Sequence, residues 1–208
     1  MKSYVYVHGF ASSPASSKAQ YFKARFAEHG IALDIPALDG GDFEHLTLTG
    51  QLRVVEQRLS GQPCVLLGSS MGGYLAALYA EQHPEADALV LLAPAFDFRK
   101  RWMEAMTPAA LEEWQSTRKF SVSHYGERRR CDLDYGLMED AAGYPAYPDF
   151  SQRAVLLHGR GDEVVPVEYS HRFCRTHPKA QLYEFDAGHE LTNVLPGMWA
   201  IVKPFLNL

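Results

Sequence analysis

Gly68-Ser69-Ser70-Met71-Gly72 places a serine two residues after one glycine and two residues before another. That spacing suits a nucleophile on a tight turn between a strand and a helix. Val65-Leu66-Leu67 before it reads as a buried strand, and Tyr74-Leu75-Ala76-Ala77-Leu78 after it reads as a helix. Only small residues at 68 and 72 let strand and helix approach closely enough to hold Ser70 in a strained conformation with its hydroxyl lifted above a sheet. Taken alone the motif is common, and the competing reading is a serine that merely caps a helix. The strand before and the helix after are what point to acyl transfer.

A serine hydroxyl is too weak a nucleophile without a base to take its proton, and that base needs an acid to orient it. His189 follows Gln181-Leu182-Tyr183-Glu184-Phe185-Asp186-Ala187-Gly188, a strand and turn that would carry it to the carboxyl edge of a sheet. Asp162 lies in Gly159-Arg160-Gly161-Asp162-Glu163, the loop after the preceding strand. Glu163 and Asp186 are the fallback acids; Asp186 is too close to His189 in sequence to reach its ring easily. The competing readings are a surface-loop histidine and a plain turn aspartate. The Met71 N–H, at the positive end of the helix, is placed to stabilise an oxyanion, and the loop His8-Gly9-Phe10 after the first strand would deliver the Phe10 N–H as second donor.

These loops need a parallel sheet to bring them together. Short apolar runs over 4–8, 31–35, 64–68, 88–93, 154–158 and 181–185 alternate with amphipathic runs over 17–29, 49–59, 71–82, 167–175 and 194–205. This is the pattern of an α/β fold whose parallel strands are linked by crossover helices, in one domain over residues 1–208. Residues 96–150 break the rhythm and read as a lid insertion. Within it, two short helices are divided by Thr107-Pro108, and a small hairpin turns around Gly126; a helix-like stretch over 135–142 follows. Its aromatic and methionine side chains suit an acyl-binding wall, with Trp102, Met106 and Trp114 as the candidate substrate contacts, although most such residues would serve to seat the insertion on the core.

With 47% apolar and 22% charged residues, the chain can bury a sizeable core. A net charge of −5 gives no reason to expect nucleic acid as partner, and Arg128-Arg129-Arg130, preceded by Glu127 and followed by Cys131-Asp132, reads as a solvated face. Cys64, Cys131 and Cys174 are an odd, widely spaced set, which argues for a reducing compartment and hence the cytoplasm. The N-terminal residues are too short an apolar run for an export signal, and no stretch is apolar enough to cross a bilayer, so no stable membrane insertion is expected.

No metal and no cofactor are expected. Cys174 and His177 lack a partner pair at matching spacing, His8 and His158 read as scaffold histidines, and no phosphate-binding glycine motif is present. Arg160-Gly161-Asp162 also reads as an adhesion tripeptide, a coincidence in a chain without export signals.

From residue 4 to residue 205 the chain resembles the alpha/beta-hydrolase superfamily, and more narrowly its small bacterial YqiA-like esterases. The resemblance rests on His8-Gly9-Phe10-Ala11-Ser12-Ser13-Pro14 with Lys18-Ala19, and on Gly68-Ser69-Ser70-Met71-Gly72-Gly73-Tyr74. Gly159-Arg160-Gly161-Asp162-Glu163-Val164-Val165-Pro166 and Gly188-His189 are similar to acid and histidine segments throughout the superfamily. The insertion instead resembles the lid of a related mitochondrial acyl-protein thioesterase and acyl-glucuronide esterase. The resemblance implies an alpha/beta-hydrolase fold of about six or seven strands and a Ser70, Asp162, His189 triad acting on a small-molecule ester or thioester. Thioester or short-peptide hydrolysis would use the same machinery, and the rival of another class is a hydrolase-like receptor that binds without turnover.

Overall fold

Strands buried on both faces carry apolar side chains at nearly every position, and the central strands of this chain do so because helices cover the sheet on each side. In the computed structural model, which describes residues 2–208, the first half runs β1 (Ser3–Val7), α1 (Ser17–Ala27), β2 (Leu33–Asp34), α2 (Leu48–Leu59), β3 (Cys64–Ser69), α3 (Met71–Gln82) and β4 (Ala86–Leu92). Next come α4 (Phe98–Ala105), α5 (Pro108–Thr117), β5 (Phe120–His124), β6 (Arg129–Leu133) and α6 (Gly136–Ala141). The chain closes with β7 (Arg153–Gly159), α7 (Glu168–Thr176), β8 (Ala180–Phe185), a 3₁₀ turn at Thr192–Val194 and α8 (Leu195–Leu206).

Six strands form one parallel sheet in the order β2-β1-β3-β4-β7-β8, so the chain winds first toward one edge and then toward the other. Alternate residues feed two separate cores. Val5, Val7, Leu66, Leu89, Leu91 and Leu156 pack with Leu52, Val55, Leu75 and Phe173 of α2, α3 and α7. On the opposite face Tyr6, Val65, Leu67, Val90, Leu92 and Leu157 meet Phe22 and Phe26 of α1 and Met198 and Val202 of α8. This period of two along each strand commits both faces to burial and fixes the register.

The run over 31–35 forms only the two-residue edge strand Leu33–Asp34, paired with β1. Pro36 has no N–H to donate and ends the ladder there. The helix expected over 17–29 stops at Ala27, with Gly30 left-handed at φ 71°. Residues 96–150 contain two helices, a hairpin and a third helix. Thr107 caps α5 by accepting the Ala110 N–H at 3.2 Å, and β5 and β6 pair antiparallel.

That segment is tied to the rest of the protein at several points. Tyr125 N–H donates to Ala11 O at 2.8 Å and Asp134 N–H to Glu44 O at 2.7 Å. Tyr74 Oη donates to Pro145 O at 2.7 Å, and Asp140 accepts from both the N–H and the hydroxyl of Thr49. No helix among the described residues is long and apolar enough to cross a membrane.

Candidate active site

Ser70 sits between β3 and α3 with φ 55° and ψ −120°, a backbone conformation that L-residues seldom adopt. The turn is held from both sides. Ser70 N–H donates to Leu92 O at 2.8 Å, and Ser70 O accepts from Gly73 N–H at 2.9 Å and Ala95 N–H at 3.0 Å. The flanking glycines are a steric requirement, since a Cβ on Gly68 would lie 2.3 Å from Gly72 O, and one on Gly72 would lie 2.0 Å from Val7 O. Both obstacles are backbone and cannot swing aside.

The next two loops are stitched together at the carboxyl ends of β7 and β8. Arg160 N–H donates to Phe185 O at 2.9 Å and Gly161 N–H to Ala187 O at 3.0 Å. A Cβ on Gly159 would meet Ala187 O at 2.3 Å, so the close approach depends on that glycine too. The result is a relay of hydrogen bonds. His189 Nδ1 lies 2.8 Å from Asp162 Oδ2, and His189 Nε2 lies 3.0 Å from Ser70 Oγ. The ionised carboxylate can only accept, so Nδ1 carries the proton, and Nε2 presents its lone pair to the Ser70 hydroxyl.

Asp162 is itself fixed. Its Oδ1 accepts the N–H groups of Val164 at 2.9 Å and Val165 at 2.7 Å, and its Oδ2 also lies 3.3 Å from His158 Nε2. Burial pushes the carboxyl up, but the hydrogen bonds from His158, His189 and the Val165 N–H outweigh it and hold Asp162 well below the ordinary carboxylate range. His158 Nε2 donates to Val165 O, and its Nδ1 accepts from Ser170 Oγ, both at 2.7 Å. The histidine read as scaffold thus also buttresses Asp162. Glu163 and Asp186 are absent from the relay; the Asp186 carbonyl accepts from Asn193 at 3.1 Å.

The loop His8-Gly9-Phe10 passes against Ser70, where a Cβ on Gly9 would lie 3.3 Å from Ser69 O and 3.4 Å from Ser70 Cβ. Met71 opens α3, where an N–H has no helical acceptor, and among the described residues the Phe10 N–H has no acceptor either. Both residues line the cavity above Ser70, which encloses about 960 Å³.

Phe98, Arg101 and Trp102 of α4 form part of the cavity wall, and Val122 and Tyr125 of the hairpin form another part. Trp102 packs edge-on to Phe10 with ring centroids 5.0 Å apart. Two candidate contacts are corrected. Trp114 is 1% exposed and donates its indole N–H to Leu133 O at 2.8 Å, which turns the ring into the core. Met106, just past the end of α4, packs against that core and is absent from the cavity wall. Sequence reasoning missed Lys18, which does line the cavity and donates to His189 O at 3.5 Å. It also missed Asp39, His124 and Glu127, which bring one potential ligand atom each within 4.8 Å of one another. His124 Nδ1 accepts the Glu127 N–H at 3.1 Å, so in the neutral ring Nε2 carries the proton and neither nitrogen offers a metal a lone pair.

With the site in view, the family model described as "Uncharacterised protein family (UPF0227)" matches residues 3–206. The chain belongs to this family. The match agrees with the resemblance to small bacterial YqiA-like esterases. A Xenopus laevis protein named monoacylglycerol lipase abhd6-B is 33% identical over 150 residues, which is 66% of this chain and 42% of that protein. The chain spans less than half the length of the curated relatives it matches. Among solved structures, alpha/beta hydrolase domain-containing protein 10 from mouse superposes with a TM-score of 0.84 at 19% identity, over 99% of this chain and 89% of that one. Est1E from Butyrivibrio proteoclasticus, solved with ferulic acid bound, gives a TM-score of 0.82 at 19% identity over 99% and 88% of the two chains. At such identities the structures establish the alpha/beta-hydrolase fold.

Proposed function

We propose that this chain is a serine esterase that cleaves carboxylic esters of small molecules through Ser70, His189 and Asp162, by way of an acyl-enzyme. The observation that carries the reading is the continuous relay from Asp162 Oδ2 through His189 to Ser70 Oγ, at 2.8 and 3.0 Å, opening into a cavity. Ser70 Oγ attacks the ester carbonyl as its proton passes to His189 Nε2. Asp162 stabilises the imidazolium that forms, and the Phe10 and Met71 N–H groups hold the oxyanion. Collapse expels the alkoxide, which takes the proton from His189. Water then attacks the acyl carbon with His189 again as base, releasing the acid and restoring Ser70.

Residues 96–150 act in this reading as a lid over the site, with Trp102 against the acyl group. The cytoplasm is the proposed location, on the strength of three free cysteines, Cys64, Cys131 and Cys174. The test is a panel of p-nitrophenyl esters beside acyl thioesters of matched chain length. The esterase reading expects higher kcat/KM on the esters and loss of all turnover in Ser70→Ala. Higher kcat/KM on thioesters would reassign the leaving group while keeping the triad. Tight ligand binding by a protein that turns over neither class would favour a receptor.

A further inference from the structure

Lys18 is a buried cation with little to neutralise it. The side chain is 9% exposed and faces the same cavity as Ser70 and His189. Its ammonium has three donors. Among the described residues it makes one hydrogen bond, to the His189 carbonyl at 3.5 Å, the outer limit of such contacts. No carboxylate of the described residues reaches salt-bridge distance; Glu190 and Asp162 act on Lys18 only from further away. Burial therefore lowers the Lys18 pKa in spite of the opposing pull of Glu190 and Asp162. A buried ammonium with idle donors is costly unless a ligand completes it.

The rest of the cavity has the same sign. Arg101 and Arg128 are its other cations, and exposed Glu190 is its one carboxylate among the described residues. Arg101 donates to Val164 O, whereas Lys18 is the cation that contacts the His189 backbone. Direction along the substrate follows from the chemistry. His189 must return its proton to the leaving oxygen, so the leaving group departs on the His189 side, where Lys18 sits. The acyl group is left to Phe10, Phe98 and Trp102.

We propose that Lys18 binds an anionic substituent on the leaving group, so that the preferred substrates are esters whose alcohol portion carries a carboxylate or a phosphate. This rests on the Ser70 reading above. The test compares three acetyl esters, those of 4-hydroxybenzamide, 4-hydroxybenzoate and 4-hydroxyphenyl phosphate, in wild type, Lys18→Gln and Lys18→Arg. The quantity read is kcat/KM for each anionic ester divided by that for the neutral amide. Wild type should favour at least one anion, and which one distinguishes carboxylate from phosphate. Lys18→Gln should collapse that ratio by roughly tenfold to a hundredfold, the worth of a hydrogen bond to a charged group, and Lys18→Arg should restore much of it.

An unchanged ratio in Lys18→Gln, or equal losses on all three esters, would overturn the proposal, the latter marking Lys18 as support for the His189 backbone. Calorimetric binding of 4-hydroxybenzoate and 4-hydroxyphenyl phosphate to wild type and Lys18→Gln separates the two failures. Anion binding that depends on Lys18 without turnover would sink the esterase reading alone. Turnover without Lys18-dependent binding of either anion would sink the anion site alone.

Discussion

Replacing Asp162 by Asn tests whether this carboxylate orients His189, because the change keeps the shape of the side chain and removes half of its accepting capacity. The carboxylate faces four donors: the Val164 and Val165 N–H groups on Oδ1, and the His189 and His158 ring N–H groups on Oδ2. An amide can face them in only two ways. If its oxygen keeps the two backbone donors, its NH₂ points at His189 Nδ1, which must then accept. The proton moves to Nε2, where it can no longer take one from Ser70. If the amide is flipped, the Val164 and Val165 N–H groups meet an NH₂, at about 1–3 kcal/mol for each buried donor left unsatisfied. The first arrangement is the cheaper one. In other Ser-His-Asp sites the wrong tautomer lowers kcat about 10⁴-fold, which corresponds to about 5.5 kcal/mol of transition-state stabilisation. Steady-state hydrolysis of p-nitrophenyl butyrate by Asp162→Asn, beside Glu163→Gln and Asp186→Asn, reads the effect. Loss of less than tenfold in Asp162→Asn, with a large loss in either neighbour, would refute the assignment of the acid.

Gly72→Ala should be destabilised by about 3 kcal/mol or more, since its Cβ would lie 2.0 Å from the Val7 carbonyl oxygen; differential scanning calorimetry should show a clear fall in Tm. Trp114→Phe should lower stability by about 1–3 kcal/mol, because Leu133 O loses its donor in the core, while KM for short esters changes little; urea denaturation with steady-state kinetics reads both. The Asp162 carboxyl is held below its unfolded value, so the stability it contributes is present above about pH 4 and lost as pH falls further. The gap in unfolding free energy between wild type and Asp162→Asn should therefore narrow on acidification, measured by urea denaturation at a series of pH values.

The sheet was legible because parallel strands buried on both faces leave short apolar runs, and those at 64–68, 88–93 and 154–158 coincide with β3, β4 and β7 to within a few residues. β2 was overdrawn because apolar content says nothing of pairing, and Pro36 closes the ladder after Asp34. Ser70, Asp162 and His189 could be picked out because each follows a strand at the same sheet edge, and there the structure joins them by hydrogen bonds.

The wall of the cavity was much less legible. A tryptophan on a short helix gives no sign of which way it faces, and Trp114 turns inward, where its indole N–H finds Leu133 O. Lys18 carried no signal of burial, since lysine on a helix ordinarily faces water. Only the fold brings it 171 residues along the chain to the His189 carbonyl. The contact of His158 with Asp162 was hidden likewise, because it depends on how the loop after β7 folds back on its own strand.

The most direct test of Ser70 as the acylated nucleophile is labelling of the purified protein with a fluorophosphonate, followed by peptide mapping. The account predicts one adduct on the peptide containing Ser70, absent in Ser70→Ala and formed much more slowly in Asp162→Asn. Undiminished labelling of Ser70→Ala, or an adduct on a different serine of the wild type, would contradict it.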